Sequence, residues 1–179
     1  MKRLRLLTLF APVVVLLVAA PVRADVIDSA SNGFTVKVAI DVQASAAKAY
    51  AGVIDVASWW DPEHTFSGKA SNLSLDAKAG GCFCETLPNG GSVRHLSVVF
   101  AAPGKMLRLN GGLGPMQDMG VAGSLTFALS EAAGKTTIVL TYKVGGYLAG
   151  GLDAMAKPAD GMLSGSMQRL KRFIDTGTP

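Results

Sequence analysis

The spacing of apolar residues along this chain changes once, from the period of a β-strand to that of an α-helix, and this change limits the folds that the chain can adopt. Residues 34–42 alternate between apolar and more polar side chains, as a half-buried β-strand does, and shorter segments of strand character follow up to about residue 144. After Gly150-Gly151 the period becomes helical, and one stripe collects five apolar residues: Met155, Leu163, Met167, Leu170 and Ile174. An antiparallel sheet has one face to bury, and this last helix is the one element long enough to cover it.

The segments between these two ends predict the strand count and one further helix. Ser45 is a typical N-cap and begins a predicted helix through Ala57. Paired glycines and Pro-Gly turns separate strands predicted at about residues 69–76, 82–87, 92–100, 105–110, 121–130 and 135–144. Pro158 is expected to break or restart the last helix. The predicted fold class is α+β, a curved antiparallel sheet of six to seven strands wrapped around a long C-terminal helix.

The N-terminus has the features of a secretory signal peptide. Three basic residues within the first five precede an apolar run over residues 6–20, which is short for a membrane span. Val22 and Ala24 stand at the −3 and −1 positions of a cleavage site. We therefore expect residues 1–24 to be removed and residues 25–179 to form a single domain in the periplasm or outside the cell. An uncleaved membrane anchor is the less favoured alternative.

Removal of the signal peptide changes the charge of the chain. Of the 17 Lys and Arg residues, four precede the cleavage site, so 13 remain against 13 Asp and Glu. A neutral mature chain gives no reason to expect nucleic acid or an anionic membrane as a partner. We also expect no stable membrane insertion once the signal peptide is removed. Two cysteines are too few for a disulfide-rich scaffold, and no cofactor motif is present, so we expect no cofactor.

The hairpin around Pro88–Gly91 carries one candidate site. If Asn89-Gly90 is the centre of the turn, Glu85 faces Arg94 as an ion pair and Cys84 faces His95, with Cys82 diagonal to it on the same side. Two thiols and an imidazole are ligands that zinc or copper prefers, but a fourth ligand is missing. Structural cysteines or an oxidised pair are favoured over a metal site, although a Cys82–Cys84 disulfide lies at the limit of strand geometry.

Two loops carry further candidates. Asp61, Glu63 and His64 form an acid/base or metal cluster in one interpretation and a plain polar turn in the favoured one. The preceding Trp59 and Trp60 are expected to anchor the helix, or one of them to line a cavity. Residues 111–117 are interpreted equally well as the mobile rim of a cavity or as a turn between strands.

A family resemblance rests on the order of several short segments. The opening strand is followed by residues 44–50, then by Ser58-Trp59-Trp60, then by residues 79–85 with Ala-Gly-Gly-Cys-Phe-Cys-Glu. The turn and strand at 103–109 and the closing helix at 163–174 add to it. Over about residues 33–176 the chain resembles the START/Bet v 1-like (SRPBCC) superfamily, in particular its branch with Hsp90-ATPase-activator homologues and polyketide cyclase/dehydrase-like proteins.

The resemblance implies a helix-grip fold with a cavity for a hydrophobic small molecule. Some members catalyse cyclisation or hydrolysis in that cavity, but the superfamily has no shared catalytic motif, so it assigns no catalytic residue here. An ATPase-activator role is not implied for an exported chain, because the periplasm lacks ATP.

These observations predict an exported protein that binds a small hydrophobic ligand between the sheet and the last helix. One alternative is a cyclase/hydrolase-like enzyme using His64 or His95, and another is a metal- or redox-handling protein using Cys82, Cys84 and His95. The expected cavity lining consists of inward-facing apolar residues: Trp60, Phe83, Leu96, Val98, Leu109, Phe127, Leu140, Tyr142, Met155, Leu163 and Met167.

Overall fold

Eight antiparallel strands form one continuous sheet in the computed structural model, which describes residues 23–179. Their spatial order is β1-β2-β8-β7-β6-β5-β4-β3, so β2 joins the first hairpin to the last strand. The predicted signal peptide lies outside the described residues, except for its last two residues, which begin β1. The strands are β1 Arg23–Ala30, β2 Gly33–Val42, β3 Leu73–Leu75, β4 Cys82–Thr86, β5 Ser92–Ala102, β6 Met106–Gly111, β7 Val121–Ala132 and β8 Lys135–Gly146.

The expected count of six to seven strands is wrong, because the sheet has eight. The missed strand is β1, an edge strand that pairs with β2 along its length, for example Val26 with Val36. The Val26 and Ile27 side chains are 40% and 56% exposed, so β1 lacks the alternation of buried residues that marks β2. A strand that buries no hydrophobic face gives little periodic signal.

The first predicted helix forms as two short helices, α1 (Ala46–Ile54) and α2 (Val56–Trp59), separated at Asp55. The Ser45 side chain accepts a hydrogen bond from the Lys48 N–H at 3.4 Å, which confirms the predicted N-cap. Both helices contact the C-terminal helix, and α1 also contacts β7 and β8 whereas α2 contacts β3. The loop that leaves α2 therefore starts next to the space between the C-terminal helix and the sheet.

The C-terminal helix, α3, spans Asp153–Thr176 and packs across β2 and β1. Its predicted stripe is buried from Leu163 onward, while Met155 is half-buried. Pro158 does not break the helix, contrary to the prediction. A proline in the second turn loses one hydrogen bond and crowds the carbonyl four residues earlier, but both effects fall at the start of the helix and the later turns continue. Gly177 ends it in a left-handed conformation with φ 86°.

The middle of the sheet and the part of α3 from Leu163 onward form a filled core. Leu109, Phe127 and Leu140 on the sheet are at most 3% exposed, and Leu163 and Met167 on α3 are fully buried in the same cluster. A void of about 10 Å³ remains beside Leu109 and Phe127. Side chains of this size each contribute about 1.5–3 kcal/mol when buried. No helix within residues 23–179 is long and apolar enough to cross a membrane.

Candidate functional site: an apolar cavity with a buried histidine–glutamate pair

The β4–β5 hairpin turns on Asn89 rather than between Asn89 and Gly90. Asn89 adopts φ 59°, and the Leu87 N–H donates to the Gly91 carbonyl at 2.8 Å. The pairing is therefore offset by one residue from the predicted register. Glu85 lies opposite Val93 rather than Arg94, and Cys84 lies opposite Arg94 rather than His95. Both predicted cross-strand pairs are wrong.

A β-bulge in β5 then changes the face on which His95 lies. The register shifts after Cys84, so that Phe83 pairs with Leu96 and His95 becomes the extra residue. His95 and Leu96 are both buried, although neighbours in a regular strand point to opposite faces. His95 therefore shares the inner face with Phe83 and Glu85, whereas the two half-buried cysteines alternate with those residues on the other face. The predicted set of Cys82, Cys84 and His95 does not form.

The two cysteines form a disulfide. Their Cα atoms are 5.3 Å apart, closer than the roughly 6.5 Å that separates residues i and i+2 in an extended strand. The favoured interpretation included an oxidised pair, and the structure contains one. The sulfurs are consequently not the thiolates that a zinc or copper site requires. In the described part of the chain, no three His, Cys, Asp or Glu side chains are grouped as metal ligands.

Glu85 is a buried carboxylate with three hydrogen-bond donors. Its side chain is 1% exposed, and Oε2 accepts from the Phe66 N–H at 3.1 Å and from His95 Nε2 at 2.9 Å. Oε1 accepts from the Ser67 N–H. Burial acts to raise the pKa of this carboxyl, but the hydrogen bonds from Ser67, Phe66 and His95 together outweigh it and hold the pKa below its usual range. Glu85 therefore fixes both the loop after α2 and the His95 ring.

His95 lies among aromatic side chains. It is 5% exposed, and its ring centroid lies 5.0 Å from that of Phe83 and 5.8 Å from that of Phe66, which is stacked on it. Nε2 is held by Glu85. Nδ1 is buried and has no hydrogen-bond partner among residues 23–179. A buried polar atom without a partner is costly, and such atoms in native folds call for an explanation.

His95 forms part of the wall of a cavity of about 370 Å³. The cavity lies beside the N-terminal half of α3, the inner face of β4 and β5, and two loops. Its volume is within the range of small-molecule sites. The wall is mainly apolar and consists of Trp60, Glu63, His64, Thr65, Phe66, Phe83, His95, Leu113, Gly114, Pro115, Met116, Met155, Pro158, Ala159 and Met162.

The loop after α2 forms the favoured polar turn. Asp61 accepts from the Glu63 N–H at 3.0 Å and caps the short 3-10 helix Pro62–His64. The Thr65 hydroxyl donates to the Pro62 carbonyl at 2.8 Å. Glu63 and His64 are exposed where they meet the cavity. His95 is thus the buried ionisable side chain of the wall, whereas His64 lies at its solvent-facing part.

The two tryptophans combine the roles that the sequence left open. Trp59 Nε1 donates to the Gly52 carbonyl at 2.9 Å, and Arg169 on α3 donates to the Trp59 carbonyl at 2.9 Å. These bonds tie α1, α2 and α3 together. Trp60 Nε1 donates to the His64 carbonyl at 3.1 Å, while its ring lies in the cavity wall. Trp59 therefore anchors the helices, and Trp60 both anchors its loop and lines the cavity.

The loop at residues 111–117 is the rim of the cavity. Leu113 and Met116 are buried in the wall, and residues Gly114–Gln117 form a 3-10 helix. The Tyr142 hydroxyl accepts from the Leu113 N–H at 3.0 Å and donates to the Gly111 carbonyl at 3.3 Å. Burial raises the pKa of Tyr142 to about 12. Tyr142 therefore supports the rim from beneath and is not itself in the wall.

The eleven predicted lining residues divide into three groups. Trp60, Phe83 and Met155 lie in the wall of the large cavity. Leu109 and Phe127 border the void of about 10 Å³, as Trp60 and Phe83 also do. The remaining six are buried in the core and are not in the wall: Leu96, Val98, Leu140, Tyr142, Leu163 and Met167.

Sequence reasoning did not assign several residues to the site. Met162 follows Met155 by two helical turns, so the helical period already placed both on one face. Glu85 shares a strand face with Phe83, and a charged residue on the apolar face of a strand was the signal for the buried pair. Phe66 follows a polar turn with no periodic pattern, so no sequence signal pointed to it.

A sheet wrapped around a long C-terminal helix, with a cavity between them, is compatible with the helix-grip fold. Solved structures share this fold, in agreement with the fold that the sequence resemblance implied. No protein-family model matches the chain, and no curated protein matches its sequence.

Three solved structures illustrate the similarity. EF2215 from Enterococcus faecalis, a conserved protein of unknown function, has a TM-score of 0.60 and 15% identity, over 84% of this chain and 77% of that one. CalU16 from Micromonospora echinospora has a TM-score of 0.58 and 12% identity, over 89% and 87%. Aha1 from Colwellia psychrerythraea, solved as a dimer, has a TM-score of 0.55 and 18% identity, over 81% and 98%. At these identities the comparisons establish the fold alone.

Proposed function

We propose that this chain is an exported protein that binds a small hydrophobic molecule in the cavity beside the N-terminal half of α3. The observation that carries the proposal is a cavity of about 370 Å³ bordered by the N-terminal half of α3 and by β4 and β5, next to a core that side chains fill. Phe66, Met116 and Met162 give the cavity a mainly apolar wall. Concave apolar sites with few polar groups are typical of small-molecule binding.

Export is supported by the predicted signal peptide and by the disulfide. Disulfides persist in oxidising compartments such as the periplasm and the cell exterior. Cleavage after Ala24 would leave Asp25–Ala30 of β1 in place, beside β2. Expression with the native N-terminus, followed by mass measurement of the exported protein, tests this part. A chain that starts at Asp25 supports export, and a full-length chain in the cytoplasm contradicts it.

Ligand binding is tested by filling the cavity. Ala159 is buried in its wall, so Ala159→Phe should place a ring inside it and weaken the binding of 4-propylphenol by roughly tenfold or more. Ala154→Phe is the matched control, because Ala154 is exposed on the same helix. Calorimetric titration of both variants and the wild type measures the effect. Equal affinities for all three proteins would place any binding outside this cavity.

A second candidate function, acid–base catalysis, is favoured by the Glu85–His95 pair in the cavity wall. A carboxylate that orients one imidazole nitrogen leaves the other to exchange a proton with a bound substrate. Hydrolysis of 4-nitrophenyl butyrate serves as the probe. Catalysis by His95 predicts hydrolysis that His95→Gln abolishes and that His64→Gln leaves intact. Hydrolysis that depends on His64 alone, or none at all, would leave binding as the function.

A further inference from the structure

The Glu85 contact determines which nitrogen of a neutral His95 ring accepts a hydrogen bond. An ionised carboxylate only accepts hydrogen bonds, so the 2.9 Å contact requires His95 Nε2 to carry a hydrogen. The neutral ring with its hydrogen on Nε2 has a lone pair on Nδ1. In that tautomer, Nδ1 needs a donor.

The protein around His95 does not supply that donor. The two rings against His95 are Phe66 and Phe83, which have no polar side-chain atoms. The Thr65 hydroxyl is engaged with the Pro62 carbonyl, and Nδ1 finds no partner anywhere in the part of the chain that the structure describes. Because His95 is 5% exposed, bulk water does not readily satisfy it either.

We propose that the ligand of the cavity is an apolar molecule with one hydroxyl group, phenolic or alcoholic, that donates a hydrogen bond to His95 Nδ1. The inference rests on the proposed binding function and specifies its ligand class. An apolar body fits the wall formed by Leu113, Met116 and Met162, while the hydroxyl satisfies the one buried imidazole nitrogen that the protein leaves unpaired. A hydrocarbon or an ether of the same shape fills the space and leaves Nδ1 unsatisfied.

The test compares 4-propylphenol with 4-propylanisole, which replaces the O–H by O–CH₃. Calorimetric Kd values are measured for the wild type, for His95→Phe and for His64→Phe. The wild type should bind the phenol more tightly than the ether, and His95→Phe should shift the ratio of the two Kd values by about tenfold towards the ether. His64→Phe is the matched control because His64 borders the same cavity but is exposed, and it should keep the wild-type ratio.

The outcomes separate the inference from the function on which it rests. If neither compound binds the wild type, cavity binding itself fails. If both bind with a ratio that His95→Phe does not change, cavity binding stands and the hydroxyl inference is overturned. If His95→Phe does not fold because Glu85 is left unpaired, the double variant Glu85→Gln/His95→Phe removes the buried charge. The same shift in the ratio of the two Kd values is expected for it. In addition, the phenol and not the ether should move the ¹⁵N resonance of His95 Nδ1.

Discussion

The two parts of α3 pack against the same sheet, but a cavity remains beside one part and the core beside the other is filled. From its middle onward, Leu163, Met167 and Leu170 are fully buried in one core cluster with the inner face of the sheet. Towards its N-terminus, Pro158 and Ala159 occupy the helix face and a cavity of about 370 Å³ remains. Met155 and Met162 complete the wall on this stretch, and the side chains there leave the space between helix and sheet unfilled.

The difference also concerns buried ionisable groups. The filled end buries apolar side chains, whereas the open end contains the Glu85–His95 pair and a tyrosine-supported rim. Burying ionisable groups is unfavourable unless they are hydrogen-bonded, so their concentration at the cavity indicates a use other than stability. The filled end should therefore govern the free energy of unfolding, and the open end should govern binding.

The largest expected effect is on stability, and it differs between a substitution in the filled core and one in the cavity wall. Leu140→Ala, in the filled core, should lower the free energy of unfolding by about 3 kcal/mol, since it leaves a void that the surroundings cannot close. Met155→Ala, in the half-buried cavity wall, should cost less than about 1.5 kcal/mol because its side chain already borders open space. Urea unfolding of both variants measures the difference, and equal losses would show that the two ends do not differ.

A smaller effect is expected at the buried carboxylate, with a defined pH dependence. Glu85→Gln should lower the free energy of unfolding by about 2 kcal/mol at neutral pH, because an amide cannot accept all three hydrogen bonds. The folded-state pKa of Glu85 lies below its unfolded value. Its stabilisation is therefore fully present above about pH 4.3 and is lost as the pH falls through the lower folded-state pKa.

Unfolding of the wild type and Glu85→Gln between pH 7 and pH 2.5 measures this dependence. The difference in the free energy of unfolding between the two proteins should decrease only at the acidic end of this range. Glu63→Gln is the control, since Glu63 is exposed at the cavity mouth and should leave stability unchanged. A gap that stays constant down to pH 2.5 would contradict the assigned role of the carboxylate.

The smallest effect concerns the rim. Tyr142→Phe should lower the free energy of unfolding by about 1 kcal/mol, because the Leu113 N–H loses its acceptor. Since the folded-state pKa of Tyr142 is raised to about 12, its contribution is present below about pH 10 and is lost as the pH rises through 12. Spectrophotometric titration of the wild type and Tyr142→Phe measures the difference in their phenolate absorbance. The transition in this difference should be centred near pH 12. A transition centred near pH 10 would show that the hydroxyl is in contact with water.

The sequence was sufficient for the parts of the fold that bury a regular face. Alternation along β2 and the helical stripe of α3 led to a sheet covered by a C-terminal helix, which the structure contains. The exposed edge strand β1 had no such pattern, and the expected strand count was too low for that reason. The periodicity of apolar residues indicates which face of an element is buried. It gives no signal for an element that is held by backbone pairing alone.

The candidate site depended on features that periodicity does not encode. The turn at Asn89 shifts the strand pairing by one residue, and the bulge places His95 on the inner face of the sheet. Together they replace the expected Cys84–His95 pair with the Glu85–His95 pair. His95 was nevertheless a candidate from the sequence, because histidine is the usual acid–base side chain near neutral pH. Six of the eleven residues expected to line a cavity are instead buried in the core, because alternation shows which side chains point inward but not which of them border empty space.

The most direct test of the account is a crystal structure of the mature protein soaked with 4-propylphenol. The account predicts the propyl-substituted ring among Phe66, Met116 and Met162, with the hydroxyl oxygen within hydrogen-bond distance of His95 Nδ1. It also predicts no phenol in the filled core beside Leu109 and Phe127. A cavity closed by its own side chains, or phenol bound only outside it, would contradict the claim that the N-terminal end of α3 is built to hold a ligand.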